Sequence, residues 1–154
     1  MSTKKLYINE RFGEERALYA VNGVELVDCS FDGIEDGESA LKEAQNIQCN
    51  RVFFNLRYPL WHDDNICLEN CDMTELCRAA LWYSNNITVR SSKLHGIKAL
   101  RECRDIKIYD CDVMSVEFGW FSKNIDIDNT KFAGEYFMLQ SKNLNMRNSS
   151  LKGK

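Results

Sequence analysis

The chain has 154 residues, 44% of them hydrophobic and 28% charged, with a formal net charge of −3. This is the size and balance of one soluble domain able to bury a core, here residues 1–154 as a single unit. The charge leaves no basic footprint for nucleic acid and no polybasic membrane segment, and no apolar run approaches the roughly 20 residues of a membrane span.

Residues 1–15 come first and read as an N-terminal cap. Their opening, MSTKKLYINE, has lysines but no apolar run behind them, so it does not match a secretory signal. The seven cysteines are odd in number and follow no export pattern, which predicts a reducing compartment and a cytoplasmic location. One proline and eight glycines leave no visible linker.

From there one pattern recurs, Asn-Ile-x-Ile or a close variant. It stands at 23–26 (GVEL), 46–49 (NIQC), 65–68 (NICL), 86–89 (NITV), 105–108 (DIKI), 124–127 (NIDI) and 143–146 (NLNM). The steps are 23, 19, 21, 19, 19 and 19 residues. A strand-rich repeat of about twenty residues predicts a solenoid with one turn per repeat. Parallel crossovers are right-handed almost without exception. The expected fold is therefore an all-β, right-handed parallel β-helix of about seven coils of 19–23 residues.

With the first Ile or Val of each copy as position 0, the columns sort by chemistry. Position 0 (Val24, Ile47, Ile66, Ile87, Ile106, Ile125, Leu144) and position +2 (Leu26, Cys49, Leu68, Val89, Ile108, Ile127, Met146) are apolar. Position +7 (Phe31, Phe54, Met73, Leu94, Val113, Phe132, Leu151) is apolar, and position +5 (Cys29, Val52, Cys71, Ser92, Cys111, Thr130, Ser149) is small. Positions +1 and +3 are mostly polar, which is strand alternation. Position −1 holds Gly23, Asn46, Asn65, Asn86, Asp105, Asn124 and Asn143, residues that tolerate a left-handed backbone. A turn with stacked, hydrogen-bonded side chains is expected there. A second strand is expected upstream, with the column Leu18, Leu41, Leu60, Leu81, Leu100, Gly119, Met138 facing inward and a local irregularity at Pro59.

The segments joining these strands, at 12–19 (FGEERALY), 36–43 (DGESALKE), 54–62 (FNLRYPLWH), 74–83 (TELCRAALWY), 94–103 (LHGIKALREC) and 135–138 (EYFM), carry a resemblance. From residue 12 to 154 the chain resembles an uncharacterised bacterial family, a domain of unknown function with a pectate-lyase-like right-handed parallel β-helix. The resemblance implies the fold and brings no catalytic residue. Members of that family usually continue for several more coils, so the resemblance implies an open C-terminal coil, in either a short member or a chain truncated relative to the family.

The column most open to a functional reading is −5: Tyr19, Lys42, Trp61, Trp82, Arg101, Trp120, Leu139. It takes all three tryptophans. Its neighbour at −4 is Ala20, Glu43, His62, Tyr83, Glu102, Phe121, Gln140. If the leucines point in, this stripe points out, and aromatic faces mixed with charges suit a saccharide. The candidate ligand-binding stripe is Lys42, Arg57, Trp61, His62, Arg78, Trp82, Tyr83, Lys98, Arg101, Glu102 and Trp120. The competing reading is structural: like residues stacked coil on coil stabilise a solenoid without a ligand.

Just upstream, charges of opposite sign fall in adjacent coils, so Glu38 is expected to meet Arg57 and Lys98 to meet Glu117. The acid pairs of glycoside-cleaving sites are not evident. Asp110 and Asp112 have Asn70, Asn129, Asp72 and Lys131 as coil neighbours, and Asp63 and Asp64 are placed in a turn. His62 and His95 are the only histidines and give no more than a weak proton-transfer candidate in His62. Cys67, Cys71, Cys77 and Cys103 lack zinc spacing, and small-residue packing accounts for the +5 cysteines, so neither a metal nor a cofactor is expected.

Two classes of function stay open. One is binding or processing of a carbohydrate along the stripe; the other is a non-enzymatic assembly scaffold. An open last coil would expose sheet edges, so a homo-oligomer through that coil is expected in the second case.

Overall fold

The computed structural model describes residues 4–32 and 39–153. The fold is a right-handed parallel β-helix, and the described residues include no helix. A long sheet stacks eight strands in the order Lys5–Ile8, Asn22–Val27, Gln45–Asn50, Asp64–Glu69, Asn85–Arg90, Arg104–Tyr109, Lys123–Asp128 and Lys142–Arg147. A second eight-stranded sheet runs from Arg11–Phe12 through Ser30–Asp32, Phe53–Asn55, Asp72–Met73, Lys93–Leu94, Asp112–Met114 and Lys131–Gly134 to Ser150–Gly153. The repeat fixes the register: Ile47, Ile66, Ile87, Ile106 and Ile125 stand opposite one another rung after rung.

There are about eight turns, one more than the seven copies of the motif. Lys5 pairs with Val24 and Tyr7 with Leu26, so the segment read as a cap supplies strands to both sheets. The motif misses this turn because Lys5 stands where the other turns have Val, Ile or Leu.

Columns 0, +2 and +7 form the core through the body of the helix. Leu26, Phe31, Phe54, Leu68, Met73 and Ile108 are fully buried. Phe12, Phe31 and Phe54 stack at 4.9 and 5.2 Å along the axis. In the last turn Leu144 and Leu151 are exposed.

Left-handed residues place the corners. The −1 column has φ between 55° and 64° from Asn46 to Asn143, and Gly23 has φ 84°. Their side chains form the expected ladder: Asn65 Nδ2 donates to Asn46 Oδ1 at 2.7 Å, and Asn143 Nδ2 to Asn124 Oδ1 at 2.9 Å. A second left-handed column lies at +4, where Asn129 Nδ2 donates to Asp110 Oδ1 at 2.8 Å.

The upstream strand departs from expectation. Only Lys98–Arg101, Glu117–Trp120 and Tyr136–Phe137 form a sheet, of three strands. From Leu18 on, every turn has a zigzag in which positions −6 and −4 are both left-handed, including Leu41 (57°), Leu60 (62°), Leu81 (62°) and Leu100 (61°), and the earlier turns carry it without a strand. Those leucines do face inward and are fully buried. Hydrogen bonding between turns survives, because the −6 N–H donates to the preceding turn and the −4 N–H to the following one. Leu60 N donates to Ala40 O at 2.9 Å and His62 N to Trp82 O at 3.0 Å. Pro59 therefore causes no break. Leu60 N–H and Pro59 C=O carry the bonds there, and Pro59 O accepts from Leu81 N at 3.0 Å.

The small column at +5 has an inner partner at −3: Val21, Ala44, Asp63, Ser84, Cys103, Ser122, Ser141. In both, the hydroxyl of one turn accepts the inward N–H of the turn before. Cys71 N donates to Ser92 Oγ at 3.0 Å, and Asp63 N to Ser84 Oγ at 3.1 Å. A corner turns these amides away from the sheets, and a buried N–H without a partner is costly.

Candidate functional site

The zigzag corner decides what the aromatic stripe looks like. Its alternation aims −6 inward and −5 outward. Trp61, Trp82 and Trp120 are each half-buried, and Trp120 meets Phe121 and Tyr136 edge to face. Trp61 and Trp82 stack at 5.3 Å with planes 12° apart. The Arg101 guanidinium covers Trp82 at 5.3 Å and Phe121 at 5.5 Å. His62, otherwise exposed, lies on Tyr83 at 5.0 Å. Both indole N–H groups of the stacked pair are engaged: Trp61 Nε1 donates to Ala79 O, and Trp82 Nε1 to Lys98 O at 2.7 Å.

Beside the stacked pair lies an open cleft of about 340 Å³ lined by Tyr58, Trp61, Arg78, Ala79, Trp82, Ile97 and Lys98. It combines indole and phenol edges with two cations. Arg78 is exposed and has no ion-pair partner among the described residues. Lys98 Nζ is 3.3 Å from Glu117 Oε2, the expected pair. Glu38, expected to meet Arg57, lies outside the described residues. Arg57 sits over the Tyr58 ring at 5.9 Å.

A second, much smaller cavity of about 10 Å³ adjoins the cleft, sharing Trp82 and Lys98 and adding Ala99, Leu100, Arg101, Glu117 and Trp120. Two of its lining residues carry a buried donor with no acceptor among the described residues: Arg101 Nε and Trp120 Nε1.

The structure thus places Trp61, Arg78, Trp82, Lys98, Arg101 and Trp120 along two cavities that share Trp82 and Lys98. His62 and Tyr83 stack beside them. Lys42, Arg57 and Glu102 line neither cavity. The sequence reading missed Tyr58 and Ile97 as lining residues. Reading the columns at −8 and −9 for aromatic and apolar members, and not for charge alone, would have found them.

It also missed Asp63, expected in a turn and found in the core at 1% exposure. Its Oδ1 accepts Ala44 N–H at 2.8 Å, as a hydroxyl does elsewhere in the −3 column, while Oδ2 has no partner. Burial pushes its pKa up to about 8 against the pull of the Ala44 N–H, and the Glu43 charge pushes the same way. A carboxyl in this state is protonated at neutral pH.

The described cysteines are free, and six of the seven are buried. Burial pushes Cys103 up to about 12 and Cys71 up to about 11, so these are inert thiols. Among the described residues no three of His, Cys, Asp or Glu converge on a point that would hold a metal ion. No helix among them is long and apolar enough to cross a membrane.

The family model described as "Protein of unknown function (DUF3737)" matches residues 5–154. The chain belongs to that family. The DUF3737 match begins at the first residue of the first strand, Lys5, and takes in every turn together with the cleft. Neither the curated proteins nor the solved structures gave a match to the chain. The chemistry of the DUF3737 cleft therefore rests on its own residues.

Proposed function

We propose that this protein binds a saccharide in the Tyr58–Trp61–Arg78–Trp82–Lys98 cleft. The observation that carries this reading is the cleft itself: about 340 Å³, lined by aromatic rings, with an exposed Arg78 at its side that has no ion-pair partner among the described residues. That volume is in the range of small-ligand sites, and apolar walls with a few placed charges are how such sites hold a sugar ring. The stacked faces of Trp61 and Trp82 are occupied by each other, so contact is made through ring edges and through Tyr58. No pair of carboxyls flanks the cleft, so the reading is binding and not glycoside cleavage.

Tryptophan fluorescence with acrylamide quenching, against neutral and acidic trisaccharides, tests it. One sugar class should shift the emission and protect against quencher, and Arg78→Ala and Tyr58→Ala should weaken that response. Emission and quenching unchanged by every sugar would overturn it.

A second reading, a scaffold that carries out no reaction, is favoured by the same stack. Two rings that satisfy each other's faces and tie their N–H groups to backbone carbonyls do so without a ligand. In that case a second copy meeting the last turn, where Leu144 and Leu151 are exposed, would appear as a concentration-dependent dimer in light scattering.

A further inference from the structure

The saccharide reading leaves the two donors of the small cavity unexplained. Arg101 Nε and Trp120 Nε1 are buried, and neither has an acceptor. Buried donors are nearly always paired, and an unpaired one marks a missing partner. Both residues line the same small cavity. The cavity, about 10 Å³, has room for about one oxygen atom. Both donors are N–H groups, so what they lack is an acceptor, and the guanidinium favours an anionic one.

The surrounding charge agrees. The cleft and the small cavity are lined by Arg78, Lys98 and Arg101 against a single carboxylate, Glu117. This excess of cations sits on a chain whose net charge is −3. Arg101 is also held in place: its guanidinium lies over both the Trp82 ring, at 5.3 Å, and the Phe121 ring, at 5.5 Å. An arginine fixed against rings loses less freedom on binding than one free in solvent.

We propose that the ligand is a sugar acid, its ring in the cleft and one carboxylate oxygen accepting from Arg101 Nε and Trp120 Nε1. This inference rests on the saccharide reading and adds the acidic group. Lys98 and Arg78 supply further positive charge on the cleft side. The Lys98–Glu117 pair keeps Glu117 neutralised where it would otherwise repel the acid.

The test is calorimetric titration with uronic-acid trisaccharides (guluronic, mannuronic, galacturonic, glucuronic), their methyl esters and the parent neutral trisaccharides. Sodium acetate serves as the free-anion control. One acid should bind at least about tenfold more tightly than its ester and its neutral parent, a preference that weakens with salt. Trp120→Phe keeps an aromatic ring and removes the N–H together with the five-membered ring, so it should lower affinity for the acid about tenfold and lower the neutral parent's by clearly less. Arg78→Gln, at an exposed position, should also weaken the acid. A melting temperature for each variant separates lost binding from lost fold. Equal binding of acid, ester and neutral sugar would overturn this inference and leave the cleft reading standing. Binding of none overturns both, and acetate competing as well as the sugar acid makes the site a simple anion site.

Discussion

The asparagine corner and the aromatic corner are built alike and finished differently. The asparagine corner sets one residue per turn in the left-handed region and stacks its side chains along the axis; the aromatic corner sets two, at −6 and −4, and stacks the side chain between them. At the asparagine corner the donors find acceptors in the turn before, as in Asn46 Nδ2 to Asn22 Oδ1 at 2.8 Å and Asn124 Nδ2 to Asp105 Oδ1 at 3.1 Å. At the aromatic corner, Arg101 Nε and Trp120 Nε1 find none. A stack that closes on itself is structure. A stack with unmatched donors and a spare cation, Arg78, is open to something else.

The most forceful way to break the comparison is through Asp63, in the inner column between the two corners. Its ordinary carboxyl pKa is raised by burial to about 8, so the unfolded chain releases this proton first. Its contribution to stability is therefore intact below about pH 4, is lost as pH rises, and levels off above about 8. The upper bound on this loss is roughly 6 kcal/mol. Urea melts from pH 4 to 9 should show wild type losing stability that Asp63→Asn keeps. Parallel curves for the two proteins would place Asp63 ionised in the fold.

Next in size is the self-closed corner. Asn46 donates to Asn22 and accepts from Asn65, at φ 56°. Asn46→Val removes both bonds and puts a β-branched residue in the left-handed region, so a loss of about 3 kcal/mol is expected in denaturant melts. By contrast, Trp120→Phe at the open corner should cost stability less than about 1 kcal/mol, because its N–H has no partner to lose. A larger loss would mean the N–H has a partner after all. Smallest is Lys98→Ala. The Lys98–Glu117 pair has its lysine half in solvent, so its removal should cost at most about 1 kcal/mol and less at high salt.

The fold was legible because its period is nearly constant. Any column of Ile or Leu spaced by one turn must face the same way, and the −1 column of Asn and Asp announces its own backbone conformation. The zigzag was not legible for the same physical reason in reverse. Leucine has no preference for the left-handed region, so Leu41, Leu60 and Leu81 read as strand residues. They reach that region because alternating −6 and −4 lets the amides bond to the turns on both sides. Asp63 was misplaced because acids are rarely buried. Only its role as acceptor for Ala44 N–H explains it. Of the candidate site, the tryptophans, Arg78, Lys98 and Arg101 came from column reading alone. The cleft did not, since it depends on how Tyr58 and Ile97 pack beside them.

The side-chain ladders on the outer corners also run one way. Asn46, Asn65, Asn86, Asn124 and Asn143 each donate toward the turn before, and so do Arg51, Asn129 and Asn148. The acids Asp28, Asp64, Asp105, Asp110 and Asp128 stand only where a group must accept. An aspartate cannot pass a donor on, so each one ends a run of aligned amide dipoles, and an asparagine extends it. The solenoid thus has a polarity written on its outside, and Asp105→Asn would join the runs on either side into one.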